Sequence, residues 1–265
     1  MPDWNYLTDE IKRTGSTHDV IRRKYLKELS NLTERNVIIY YSGWLQKPDP
    51  RLSAIFSIND NDKNAFMTTI HDLDRSKGLD LVLHTPGGDG AATESLVDYL
   101  RRMFGNDIRA IVPQLALSAG TMIALSCKSI VMGKQSSLGP IDPQIRGMPA
   151  HGVIEEFNQA FKEITEDPKK IPIWQAKIAA FPPAFIGECQ KAIRWSEEMV
   201  KEWLQSGMFE DEIKHGNQQV VNQTIDIILK EFGDHALTKS HARHISLQKC
   251  KDMGLRIETM EDNQN

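Results

Sequence analysis

Leu79-Asp-Leu-Val-Leu-His-Thr-Pro-Gly-Gly88 decides how this chain reads. Leu79 to Leu83 is a short apolar run with the length and composition of a buried strand. It passes without a spacer into a glycine pair, and apolar residues at helical spacing follow from about Ala91 to Phe104, closed by Gly105. The same order recurs downstream. Ile108 to Val112 reads as a strand, Ser118-Ala-Gly120 as a turn, Thr121 to Cys127 as an apolar helix and Ser129 to Met132 as a further strand. Upstream, Asn36 to Tyr41 is another β-rich run. Asn59 and Asp60 then offer caps for a helix carrying Phe66, Ile70 and Leu73, stopped at Gly78. Strands alternating with helices imply right-handed crossovers and a parallel sheet covered on both faces, so the expected fold class is α/β.

The flanks are different. Residues 1–17 are polar and read as an arm, and Asp19 to Leu32 as a helix whose Arg22, Arg23, Lys24 and Lys27 form a solvated face. From Val153 onward the pattern is mostly helical, with amphipathic helices over Glu188 to Leu204 and Val220 to Phe232. No linker-like segment intervenes. The expected organisation is an arm and helix over 1–35 and one domain over 36–260, with a parallel-sheet half (36–145) and a mostly helical part (146–260).

Composition excludes more than it assigns. A net charge of −4 over 265 residues argues against a nucleic-acid surface as the main function. Cys127, Cys189 and Cys250 are odd in number and form no CxxC, which speaks against a disulfide framework or a zinc knuckle. No apolar run approaches the ~18 residues of a membrane span. The opening MPDWNYLTDE also lacks a basic segment followed by an apolar one. A soluble, cytoplasmic chain without a membrane span, metal or cofactor is expected.

Open parallel sheets bind ligands outside the carboxyl ends of their strands. Two segments stand at such ends: His84 to Gly90, and Leu115 to Gly120. Paired glycines before a helix turn bare N–H groups outward where partial positive charge gathers, the makings of an anion or oxyanion site. A dinucleotide fingerprint fails at Thr93, where a third glycine belongs, and there is no GxxxxGK[ST] loop. Ser118 opens a helix of small residues. Its plainest role is an N-cap, but the Ala119 N–H would lie beside its hydroxyl and the Gly-Gly turn could supply a second donor. Acyl transfer needs that arrangement. A GxSxG elbow is absent, because no glycine stands at position 116.

Leu83-His-Thr-Pro-Gly-Gly88, Ala116-Leu-Ser-Ala-Gly-Thr-Met-Ile-Ala124 and Leu138-Gly-Pro-Ile-Asp-Pro-Gln144 together resemble the serine dehydrogenase proteinase family. That family is a branch of the Clp-fold serine peptidases, related to signal peptide peptidase A and the Clp proteolytic subunit. A weaker match runs from His241 to Ser246 and on to Leu255. The resemblance implies a crotonase/Clp-like ββα superhelix with a helical C-terminal part, homo-oligomeric assembly and ATP-independent hydrolysis of a peptide or protein substrate. Carried over by position, Ser118 matches the nucleophile, Gly88 and Ala119 the oxyanion-hole donors, and Gly87 the glycine that shapes the substrate-binding turn.

The base does not carry over. Where the Clp proteolytic subunit has a histidine, this chain has Asp142, which reads as structural because an exposed carboxylate with a pKa near ~4 is a poor base for serine. Signal peptide peptidase A uses a lysine farther on, and a lysine works only if burial lowers its pKa. Lys162, Lys169, Lys170 and Lys177 fall in or near that window, and Lys177 has the most apolar neighbours. His241 and His244 are the alternatives, and His84 reads as cleft lining at most. Two other functions share these motifs. One is an inactive peptide-binding scaffold, and the other a crotonase-type acyl-CoA enzyme, which would need a basic pocket.

Overall fold

The computed structural model describes residues 4–14, 18–47, 49–233 and 243–263. Its main sheet has five parallel strands in the order β1 (Asn36–Tyr41), β2 (Leu79–His84), β3 (Ile108–Val112), β5 (Ser129–Met132) and β10 (Ile257–Thr259). A second, three-stranded sheet holds β4 (Leu115–Ala116), β6 (Ser137–Leu138) and β9 (Ile245–Ser246), and β7 (Gln144–Ile145) pairs with β8 (Met148–Pro149) in a hairpin. The α/β reading with a parallel sheet holds, and β2 shows why it was legible: all six of its residues are buried, as a strand covered on both faces requires. Inside it, the Asp80 carboxylate is wholly buried, bonded by Arg35 Nε at 2.8 Å and Arg109 at 2.7 Å, so the charge is met on two sides.

The first helices are α1 (Trp4–Thr14), α2 (His18–Thr33), the short α3 (Ser53–Phe56), α4 (Asp60–Ile70) and α5 (Gly90–Phe104). The arm expected over 1–17 is therefore helical over Trp4–Thr14, docked by the Lys24 to Glu10 bond at 2.5 Å. Asn59 and Asp62 close α4 with a capping box, as the polar pair before Phe66 suggested. The remaining helices are α6 (Ala119–Leu125), α7 (Ala150–Glu166), α8 (Ile171–Ile178), α9 (Phe185–Ser206), α10 (Glu210–Lys214), α11 (Gln218–Gly233) and α12 (Leu247–Asp252). One apolar core runs from Leu81, Leu96 and Ile123 to Val200, Ile225 and Phe232. The helical part thus covers the sheet, and it also returns to it. β10 pairs with β5, and β9 adds antiparallel to β6. These two short strands contain only five residues between them, below the length at which alternation can be read.

Candidate active site

Thr85 ties the glycine turn to the serine turn. Its N–H donates to Leu115 O at 3.1 Å, and its carbonyl accepts from Leu117 N at 3.0 Å. Its hydroxyl accepts from Gly87 N at 3.1 Å. The stretch after β2 therefore forms a bridge beside β4, two residues before Ser118. On the other side, Ile58 N donates to Gly87 O and Asp89 N to Ile58 O, both at 2.9 Å. Only glycine suits this clamp. Gly87 has φ +98°, and a Cβ there would lie 2.7 Å from Leu117 O and Ser118 Cβ. At Gly88 a Cβ would lie 2.2 Å from Ile58 N.

Ser118 sits between β4 and α6 with φ 51° and ψ −118°, outside the regions open to residues that carry a Cβ. Its side chain makes no capping bond, so the N-cap role that sequence favours for such a serine is not taken. The strained turn resembles a nucleophile elbow in kind, reached without the GxSxG pattern. Neither the Gly88 N–H nor the Ala119 N–H, nor the Ser118 hydroxyl, has a hydrogen-bond partner among the described residues. Asp89 caps α5 by accepting from Ala92 N at 2.8 Å, so Gly88 stands just ahead of one helix start and Ala119 at another. Free amides at two helix starts favour an anion between them.

These residues share one cleft of about 430 Å³. Gly87, Gly88, Ser118 and Ala119 line it together; Met122, Ile141, Ile145, Trp195 and Met199 give it an apolar wall, and Asp89 and Asp142 are its only charged lining residues among those described. Among the described residues no lysine, arginine or histidine lines it.

The base candidates lie elsewhere. Lys177, on α8, is paired with Glu156 at 2.5 Å, stacked over the Trp174 ring at 4.4 Å and 52% exposed. Its apolar neighbours in sequence do not bury its ammonium, which removes the condition for a lysine base. Lys162 and Lys169 are exposed, and Lys170 pairs with Glu163 at 3.3 Å. His244 is exposed beside β9, and His241 lies outside the described residues. His84 does not line the cleft. It is buried, stacked against Tyr41 at 5.1 Å and Trp44 at 4.5 Å, and desolvation lowers its pKa while a hydrogen bond to the Leu115 backbone opposes that shift.

Asp142 departs most from its reading. It is not an exposed turn residue: its carboxylate is fully buried, and His151 Nδ1 lies 2.9 Å from Oδ1. Gln144 Nε2 donates to Oδ2 at 3.3 Å. His151 stands in the first turn of α7, held there because Ala150 N donates to Pro143 O at 2.9 Å. Sequence reasoning passed over His151 altogether. The available signal was a histidine nine residues after an aspartate, at the start of a helical pattern.

Fold and site together define a parallel α/β protein with a serine on a strained strand-to-helix turn, in one cleft with two free backbone amides. The sequence matches the family of ClpP-like SDH-type serine proteinases across residues 16–261, and the chain belongs to that family. Among its relatives, uncharacterized protein MJ0137 of Methanocaldococcus jannaschii is 27% identical over 238 residues, covering 90% of this chain and 73% of that protein. Uncharacterized protein MJ1495 of the same organism is 26% identical over 181 residues, covering 68% of this chain and 52% of that one. No helix among the described residues is long and apolar enough to cross a membrane.

Proposed function

We propose that this chain is a serine peptidase that hydrolyses peptide bonds through an acyl-enzyme on Ser118. The observation that carries the reading is the unbonded Ser118 hydroxyl, on a backbone strained to φ 51°, in one cleft with the free Gly88 and Ala119 amides. Attack of Oγ on a substrate carbonyl forms the Oγ–C bond and moves the carbonyl pair onto oxygen. The Gly88 and Ala119 N–H groups then donate to that oxyanion, a contribution of about 10²–10³ in rate for one such donor. Collapse breaks the C–N bond, sends the proton that left Oγ out with the amine, and leaves the ester, which water hydrolyses to the acid and a free Ser118 hydroxyl. Gly87 shapes the donor turn. Lys177 is not carried into this site, for its ammonium is exposed and paired. An acyl-CoA enzyme is disfavoured because, among the described residues, the cleft wall has no basic side chain for the nucleotide phosphates. The succession of strand, short strand and helix in β3–β4–α6 supports the finer reading of a crotonase/Clp-like ββα superhelix. Exposed Phe161, Ile171 and Ile173 on α7 and α8 support homo-oligomeric assembly.

The test is labelling with a fluorophosphonate probe, with digestion of fluorescein-casein alongside. Wild-type protein is expected to be labelled at Ser118 and Ser118→Ala not at all. Folded wild-type protein that takes no label and cuts no casein refutes the proposal.

A further inference from the structure

We infer that Trp195, tethered by Glu94, sets the substrate specificity of the Ser118 cleft: it ends the pocket so that the residue supplying the attacked carbonyl carries an aliphatic side chain rather than an aromatic or acidic one. This rests on the peptidase reading above. The Cβ of that residue is two bonds from the attacked carbon, so its side chain must lie against whatever lines the cleft around Ser118. One wall is a single stripe of α9, where Ala192, Trp195, Ser196 and Met199 follow at spacings of three and four. The stripe is fixed, for Ser196 is buried and its hydroxyl donates to Ile141 O at 3.3 Å, joining α9 to the 141–145 wall.

Trp195 is the odd member of that stripe. It is left 39% exposed, and its indole reaches across to α5. Nε1 donates to Glu94 Oε1 at 3.4 Å. A Cβ added at Gly90 would lie 3.6 Å from Cζ3, an ordinary contact, so the ring rests against the start of α5. A second cavity, of about 550 Å³, continues between the same two helices. Met199 lines both cavities, Gly90 and Trp195 only the first, and Ala91 and Glu94 only the second. The Trp195–Glu94 bond therefore crosses the boundary, and the indole is the partition that closes the catalytic cleft. An aliphatic side chain that stops at the ring is covered by Met122, Ile141 and Met199. A larger aromatic one meets the partition, and in an apolar pocket one methylene too many or too few changes the rate about 10–200-fold. A carboxylate would face Asp89 and Asp142 with no cation among the described lining residues, so it would lose its water and meet like charge.

The test is kcat/KM of the full chain for peptides that differ at one position only, which carries leucine, phenylalanine, glutamine or glutamate. Mass spectrometry identifies cleavage after that residue, and circular dichroism checks the folding of each variant. Wild type is expected to cut after leucine about 10-fold faster than after phenylalanine, and after glutamate about 10²-fold more slowly than after glutamine. Trp195→Ala removes the partition and should lower the leucine-to-phenylalanine ratio about 10-fold or more. Glu94→Ala frees the ring and should move the ratio the same way, whereas Glu94→Gln keeps an acceptor for Nε1 and should restore the wild-type ratio. Each ratio is taken within one protein, so a change in folded fraction cancels and a merely structural role would not move it. If wild type cuts these peptides and both Trp195→Ala and Glu94→Ala keep its ratio, the inference falls and the peptidase reading stands. If folded wild type cuts none of them and takes no fluorophosphonate label, both fall.

Discussion

Ser118→Gly and Ser118→Ala delete the same hydroxyl but treat the backbone differently. At φ 51° and ψ −118° the Cβ is held where only glycine sits without penalty. A residue forced into such a region costs about 1–3 kcal/mol. Glycine removes that cost, and its freer unfolded chain gives back about 0.4–1 kcal/mol. The glycine variant should therefore exceed the alanine variant by about 1–2 kcal/mol, which for a domain of this size is roughly 2–8 °C in melting temperature. The assay is thermal unfolding of the two proteins in parallel by circular dichroism, after showing that neither takes a fluorophosphonate label. The comparison needs no substrate and cancels the loss of the hydroxyl. If the glycine variant melts at or below the alanine variant, the turn stores no strain and Ser118 is an ordinary loop residue.

Two further outcomes follow from the same geometry. Gly88→Ala places a Cβ 2.2 Å from Ile58 N, so the two backbones must part by on the order of 1 Å to reach ordinary contact. Labelling of Ser118 should fall about 10²-fold or more as the donor is displaced, with about 1–3 kcal/mol lost in urea unfolding; an unchanged labelling rate in folded protein would exclude Gly88 from the oxyanion site. His84 is buried with its pKa below the ordinary 6.5, so the unfolded chain takes up its proton first as pH falls. Its contribution is complete above about 6.5 and drains away as pH drops toward the folded value. His84→Phe keeps a ring against Tyr41 and Trp44 but cannot titrate. Its melting temperature should fall less between about pH 7.5 and 5.5 than that of wild type, and equal slopes would show that His84 does not couple folding to pH.

What sequence could and could not show divides along a physical line. β2, β3 and β5 were legible because each is a short, mostly apolar run, with Asp80 in β2 and Arg109 in β3 paired to each other, and the helices that cover them carry one apolar face. The glycine turn was legible because two adjacent glycines between a strand and a helix are rarely needed for anything but a close backbone approach. Gly88 has that approach against Ile58. Local pattern stops there. Lys177 was the chosen lysine because Trp174, Ile178 and Phe181 flank it in sequence, yet a helix sends side chains in all directions, and its ammonium is paired with Glu156 and half exposed. Asp142 read as structural, and nothing in its own segment says that it is buried. Its burial comes from α7 docking on the loop, a contact fixed by the Ala150 to Pro143 hydrogen bond and by the packing of α7 on α9. The Asp142–His151 contact thus depends on a loop meeting the next helix, which no short word of sequence registers. Gly88, Ser118 and Ala119 belong to single turns and can be read from such words, whereas Asp142 and His151 come together only because α7 docks on the cleft wall.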